Sequence, residues 1–202
     1  VSNLGTLITQ IGSEINRTDL DTLIGTAIQT AIRKHQTNKV NFNQFIDTTQ
    51  VTTASSEDLP IPTNCFAIDS IRMNYGTNDY RVLDIRGWTD MQRNYDNVNP
   101  GRPTIAALFN GVIKLRPKAD AVYSTVISGY QTYAIPSGST DTHPWMTNAE
   151  NLIKWEAKAF LYADVLEDEN RAVWFSNMAG SELRRILGTY MAETQSNALG
   201  YN

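Results

Sequence analysis

The sequence predicts an α+β chain, a helical bundle from both chain ends with an inserted, antiparallel β-rich region. Three observations carry this reading. Apolar residues recur at helical spacing near the N-terminus and again in the C-terminal third. Between them, from Asn41 to Tyr133, the texture turns to Thr, Val, Ile and Tyr with Pro and Gly punctuation, and the apolar period falls towards two. Within that stretch Asn110-Gly111 separates two short apolar runs. Both residues tolerate the positive φ of a type I′ turn, so the pair marks a β-hairpin.

Residues 1–40 are read as an antiparallel helical pair. Leu4, Leu7, Ile8, Ile11 and Ile15 trace one face, which Asn16-Arg17-Thr18-Asp19 interrupts. Thr18 is placed to cap the next helix, with Asp21 in the capping-box position. The stripe Leu20, Leu23, Ile24, Ala27, Ile28, Ala31 and Ile32 follows, and Arg33 and Lys34 lie at its end, where positive charge is favoured. Leu23 and Ile28 are expected to pack on the C-terminal helices.

Residues 41–135 form the β-rich insertion. Strands are expected over 45–53, 66–75, 80–85, 104–110, 112–116 and 122–133. Leu59-Pro60-Ile61-Pro62 marks an edge or a crossing, because proline lacks the ladder donor. Residues 88–94 suit one short helix. A Gly, Ser and Thr-rich stretch, 136–143, closes the insertion.

Residues 144–190 are read as the second helical pair. Leu152, Trp155, Ala159, Tyr162, Ala163 and Leu166 form one stripe. After a break at 168–170, Ala172, Phe175, Ala179, Leu183, Ile186, Leu187 and Tyr190 form the next. Residues 191–202 lose the stripe and are expected to be an extended C-terminal arm with Leu199, Tyr201 and Asn202 as its docking residues.

Charge and composition narrow the function. The 202 residues carry a net charge of −4 with no clustered basic excess, which argues against tight nucleic-acid binding. Cys65 is the single cysteine, so neither an intrachain disulfide nor a cysteine-based metal site is expected, and the chemistry suits a reducing compartment. The N-terminal amphipathic segment does not read as a signal peptide, and no apolar run is long enough to span a membrane.

No cofactor, metal or catalytic site is expected. His35 and His143 have no ligands at metal spacing and are assigned to a helix end and a turn. Ser139, Asp141 and His143 have the residue types of a hydrolytic triad, yet they share one polar loop with no nucleophile elbow. Asp164, Glu167, Asp168 and Glu169 read as a solvated helix corner with Asp168 or Asn170 as a cap. Among the tryptophans, Trp145 beside Pro144 and Trp88 in the insertion are the candidate interface residues.

The order of these signals resembles the head-to-tail adaptor family of podophages. The likeness runs through Asn16-Arg17-Thr18-Asp19-Leu20, Leu59-Pro60 ahead of Ile68-Asp69-Ser70-Ile71, Gly101-Arg102-Pro103, Leu115-Arg116-Pro117 and Ile127-Ser128-Gly129-Tyr130. It closes with Trp145, Leu161-Tyr162-Ala163, Asp168-Glu169-Asn170-Arg171 and Trp174. One departure is Thr147-Asn148-Ala149-Glu150, where the family has a more Pro-rich helix start. The resemblance implies a virion protein forming a dodecameric ring between the portal protein and the tail or nozzle proteins. DNA would pass through the lumen without specific binding, and no enzyme activity, cofactor or membrane is implied. The alternatives are another tail-tube or head-completion protein, or a small β-rich carbohydrate-binding module using Trp88 and tyrosines as stacking platforms.

Overall fold

A computed structural model describes residues 2–95 and 99–199. Among these the chain runs through helices α1 (Leu4–Glu14) and α2 (Asp21–His35), then strands β1 (Gln44–Asp47), β2 (Asp58–Pro60), β3 (Cys65–Gly76), β4 (Asp79–Val82) and β5 (Asp84–Ile85). Helix α3 (Trp88–Asn94), strands β6 (Ile105–Phe109), β7 (Val112–Arg116) and β8 (Ser124–Gln131), and helices α4 (Pro144–Asn148), α5 (Glu150–Asp164) and α6 (Glu169–Leu199) follow. The α+β class is as expected. Contacts group the chain into two units, one from the residues up to Asn43 together with those from Thr132 onward, the other Gln44–Gln131.

In the first unit, α1 begins with a reciprocal capping box between Asn3 and Thr6. The loop before α4 completes that helix end: the Asp141 and Ser139 carbonyls accept from the Leu4 and Gly5 N–H groups at 3.0 and 2.8 Å. Helix α2 does not use Thr18 as its cap. Leu20 occupies the cap position without a side-chain bond, because it is drawn into the core, and Arg17 and Asp19 instead form a two-bond ion pair at 2.7 and 2.8 Å across the turn.

The core of this unit joins Leu7 and Ile11 of α1, Ile24, Ile28 and Ile32 of α2, and Leu152, Ile153, Ala157 and Leu161 of α5, all fully buried. Helix α5 is the hub, packing on α1, α2 and α6. Ile28 is core as expected, but Leu23 is 43% exposed. The buried face of α2 is centred on Ile24, Ala27, Ile28 and Ala31, and Leu23 falls just off its edge.

Helix α6 is longer than its stripe. Residues from Met191, expected to be an extended arm, remain helical as far as Leu199. Met191, Ala192, Glu193, Gln195, Ala198 and Leu199 are good helix formers with no Gly or Pro among them, so propensity continues the helix where periodicity stops.

The second unit holds two four-stranded sheets, in the orders β1-β8-β3-β4 and β2-β7-β6-β5. All pairings are antiparallel except β5 with β6. One core serves both sheets, built from Leu59, Ile71, Met73, Leu83, Ala106, Ile113, Leu115 and Ile127. The strand expected over 80–85 is cut in two at buried Leu83. Its N–H bonds back to Ile71 of the first sheet, while the next residue, Asp84, bonds to Thr104 beside the second. The strand expected over 45–53 stops at Asp47, whose carboxylate accepts the Thr49 N–H at 2.7 Å and turns the chain. β2, with Pro60, lies at a sheet edge. Asn110 and Gly111 have φ of 51° and 74°, so the hairpin turn has the left-handed pair that its sequence signalled.

Candidate interaction surface

Trp145 was expected to be an interface residue, and the fold corrects this. Pro144 opens α4 at a position where its fixed φ and missing N–H are harmless, and the turn that follows carries Trp145 into the core at 0% exposure. There its ring meets Phe42 edge-on at 4.9 Å and stacks beside His35 at 6.1 Å. Trp88 is half-buried: one face stacks on Phe109 at 4.7 Å, and the Arg116 guanidinium lies 5.6 Å from its centroid. These contacts make Trp88 a support for the β6–β7 hairpin rather than an open stacking platform. Leu199 ends α6, while Tyr201 and Asn202 lie outside the described residues.

The polar residues that could suggest chemistry are committed to structure. Asp141 accepts the Ser137 and Gly138 N–H groups at 2.9 and 2.8 Å, which holds its carboxyl below its ordinary pKa. His143 caps α4 through Nδ1, accepting the Trp145 N–H at 3.2 Å. Burial pushes its pKa down, only partly offset by the Tyr133 backbone. Neither side chain is therefore aimed at Ser139 as a base or an orienting group would be. The Trp145 Nε1 atom is buried without a hydrogen-bond partner among the described residues. Such an unmatched donor costs about 1–3 kcal/mol.

Burial raises the Cys65 thiol, with the Ala67 backbone a partial offset, so its thiolate is disfavoured. Asp168 accepts the Arg171 N–H at 3.1 Å and caps α6, as its position at the helix corner suggested. Among the described residues no three of His, Cys, Asp and Glu gather where they could hold a metal ion.

One ionic cluster lies inside the first unit. Glu14 on α1 receives Lys154 at 2.9 Å and also Lys158, both on α5 and both nearly buried. Burial pushes the Glu14 carboxyl up, but the two lysines together reverse this and hold it below its ordinary value. Lys158 also sits 5.1 Å from the Phe175 ring, tying α6 into the cluster. A second pair links α2 to α5 through Lys34 and Glu156, with His35 Nε2 at 3.4 Å from the same carboxylate. These contacts set helix against helix and present no ligand-binding arrangement.

The exposed apolar residues fall elsewhere. On α6, Val173, Trp174 and Met191 are more than half exposed, and Trp174 touches only its neighbour Phe175 edge-on at 4.7 Å among the aromatic rings. In the second unit Leu108 and Phe109 stand at the hairpin tip, each 45% exposed. Sequence reasoning weighed Trp174 as an interface anchor but preferred core packing, the usual fate of a tryptophan on an amphipathic helix. The available signal was its place between Val173 and Phe175, where residues 172 and 175 already claim the buried face.

Among the described residues no helix is long and apolar enough to cross a membrane. Comparison with curated proteins finds no match. A family described as SU10 adaptor protein matches residues 2–199, spanning the helices of the first unit and both sheets of the second. The chain therefore belongs to the SU10 adaptor protein family, a family of phage adaptor proteins and hence of virion components.

Proposed function

We propose that this protein is a podophage head-to-tail adaptor: a ring, dodecameric by the family resemblance, joining the portal to tail or nozzle proteins around the DNA channel. The observation that carries the reading is the family match over residues 2–199, nearly the whole chain. The structural commitments of His143, Asp141 and Cys65 fit a structural role without turnover. Its organisation is a helical bundle from residues 1–40 and 144–190 with a β-rich insertion at 41–135.

DNA passes through the ring without specific binding. The chain is acidic, at −4 per copy, and a ring of twelve carries about −48, so its net field repels the phosphate backbone. Residues 191–202 form the portal-docking segment, with Leu199, Tyr201 and Asn202 as its contacts. As Met191 and Ala192 are exposed, the end of α6 is available to a partner.

The experiment mixes the full chain with the portal protein of its own phage and measures the mass of the complex and its symmetry by electron microscopy. A ring of adaptor copies on the portal is the expected result. Deleting residues 191–202 should leave the unfolding midpoint of the free chain unchanged and abolish portal association. A chain that forms no complex with portal overturns the adaptor reading, and a truncated chain that binds portal as well as the full chain overturns the docking segment.

A further inference from the structure

Helix α6 has 31 residues and packs chiefly on α5, which has 15. At 1.5 Å per residue these are about 46 and 22 Å long, and beyond α5 the inner face of α6 still packs through Ile186 and Leu187 in the core and Thr189 and Tyr190 beside Phe42 and Asn148. Its outer face carries Val173, Trp174, Asn177, Ser181, Arg184 and Met191, all exposed and recurring at three- and four-residue steps. This is a helix-packing stripe that nothing covers among the described residues. Gly180 and Gly188 beside it have open space where a Cβ would stand, so another backbone can come close.

The charges along this face indicate the occupant. Glu169 lies at the start of α6, and Arg184 comes 15 residues later. Among the described residues Glu169 has no ion-pair partner, and the only side-chain hydrogen bond of Arg184 is to Ser181 Oγ at 3.1 Å. On α2 the outward residues are Asp21, Leu23, Thr26, Thr30 and Arg33, and neither Asp21 nor Arg33 is ion-paired among the described residues. Both helices thus run from negative to positive. Glu169 to Arg184 spans about 22 Å and Asp21 to Arg33 about 18 Å, a difference that a flexible arginine side chain bridges. Laid antiparallel, each end of one helix meets the opposite charge of the other.

We propose that the outer face of α6 docks antiparallel on the outer face of α2 from a second copy of this chain. With Glu169 set opposite Arg33, Trp174 falls about 7.5 Å along and lies over the methyls of Thr26 and Thr30. Leu23 lands near Gly180 and Ser181, where α6 is thinnest, and Asp21 comes within reach of Arg184. Three of the four charges also sit where a helix dipole favours them. Arg184, in mid-helix, has no such local reason and is the most informative of the four. The contact joins two different patches, so every copy keeps one α6 face and one α2 face for its neighbours. Such a head-to-tail interface closes into a ring when its rotation allows. The inference rests on the ring reading above and adds which surfaces make it.

The test is sedimentation of the full chain at up to about 1 mM and at low salt, where exposed charges are least screened. The wild type should associate. Trp174→Ser should weaken association about 30-fold or more, as expected for a central anchor, without moving the unfolding midpoint, since the ring is already exposed. Arg184→Glu should weaken it about 5-fold or more, and adding Asp21→Arg should restore it to within about twofold of the wild type. Association that Trp174→Ser leaves intact, or an Arg184→Glu defect that Asp21→Arg does not repair, overturns the α6–α2 contact and leaves the ring reading standing. A wild-type chain that stays monomeric throughout overturns the α6–α2 contact, while the ring reading stands or falls on the portal experiment above.

Discussion

Ile28→Ala tests the helical half of the fold most directly. Ile28 lies on the inner face of α2 with no solvent exposure, in the cluster that also holds Ile24, Ile32, Leu152 and Ile153. The change removes three carbons. At about 0.8 kcal/mol for each buried methylene-sized group, the transfer loss is about 2.4 kcal/mol. The space left behind adds to it, since α2 is held against α5 by the Lys34–Glu156 pair as well as by packing, and its collapse is resisted. The sum is about 3–4 kcal/mol. Leu23→Ala, five residues earlier on the same helix, should cost under about 1 kcal/mol because its side chain is 43% exposed. Urea unfolding followed by tryptophan fluorescence separates the cases. A Trp88→Phe background confines the signal to Trp145, Trp155 and Trp174 in the first unit. A cost below about 1 kcal/mol for Ile28→Ala, or equal costs for the two variants, would refute the assignment of the inner face.

Four further expectations follow. Gly129→Ala should unfold the first sheet, since a Cβ there would stand 2.2 Å from the Ala67 carbonyl oxygen beside a bulge in β3; proteolysis of the second unit as fast as in the wild type would disprove this. Because burial lowers the pKa of His143, the folded state resists the proton that the unfolded chain accepts below about 6.5. Its contribution is therefore whole above that pH and declines as pH falls towards the lower folded value, and His143→Asn, which keeps a capping oxygen, should flatten the stability curve there. Glu14 follows the same sign at lower pH: its folded pKa is depressed, so its stabilisation is present above about 4.5 and lost as pH falls through the folded value. Glu14→Gln should remove that acid-side slope and destabilise at neutral pH, where Lys154 and Lys158 lose their counterion. The ring proposed above should show no tight DNA binding in a filter or gel-shift measurement near physiological salt; strong binding that collapses with added salt would contradict the reading that its net negative charge repels DNA.

What was legible in the sequence is what local physics decides. The 3.6-residue period exposed both helical ends, Asn110-Gly111 marked its hairpin through backbone chirality alone, and Pro60 forced its strand to an edge. Where tertiary contacts decide, the reading failed. Thr18 satisfies every local rule for a cap and is bypassed because Leu20 is worth more in the core than outside it. Residues 80–85 have one continuous strand texture, yet Leu83 crosses from one sheet to the other because both sheets share a core that needs it. Trp145 looked stranded beside a proline, but that proline starts the helical turn that buries it.

The same division explains why the surface of α6 was hidden. A periodicity search finds the face of a helix that holds most apolar residues, and on α6 that face is the row through Ala172, Ala179 and Ile186 against α5. The outward row mixes Trp174 and Val173 with Asn177, Ser181 and Arg184, and averages to an ordinary solvated surface. Only the exposure of Trp174, at 56%, changes that reading. A tryptophan left in water on the outer face of a helix whose inner face is already packed on α5 keeps an apolar cost that a second surface would relieve. For a protein of an adaptor family, whose partners are other protein surfaces, that outer face is therefore the part of α6 most directly suited to assembly.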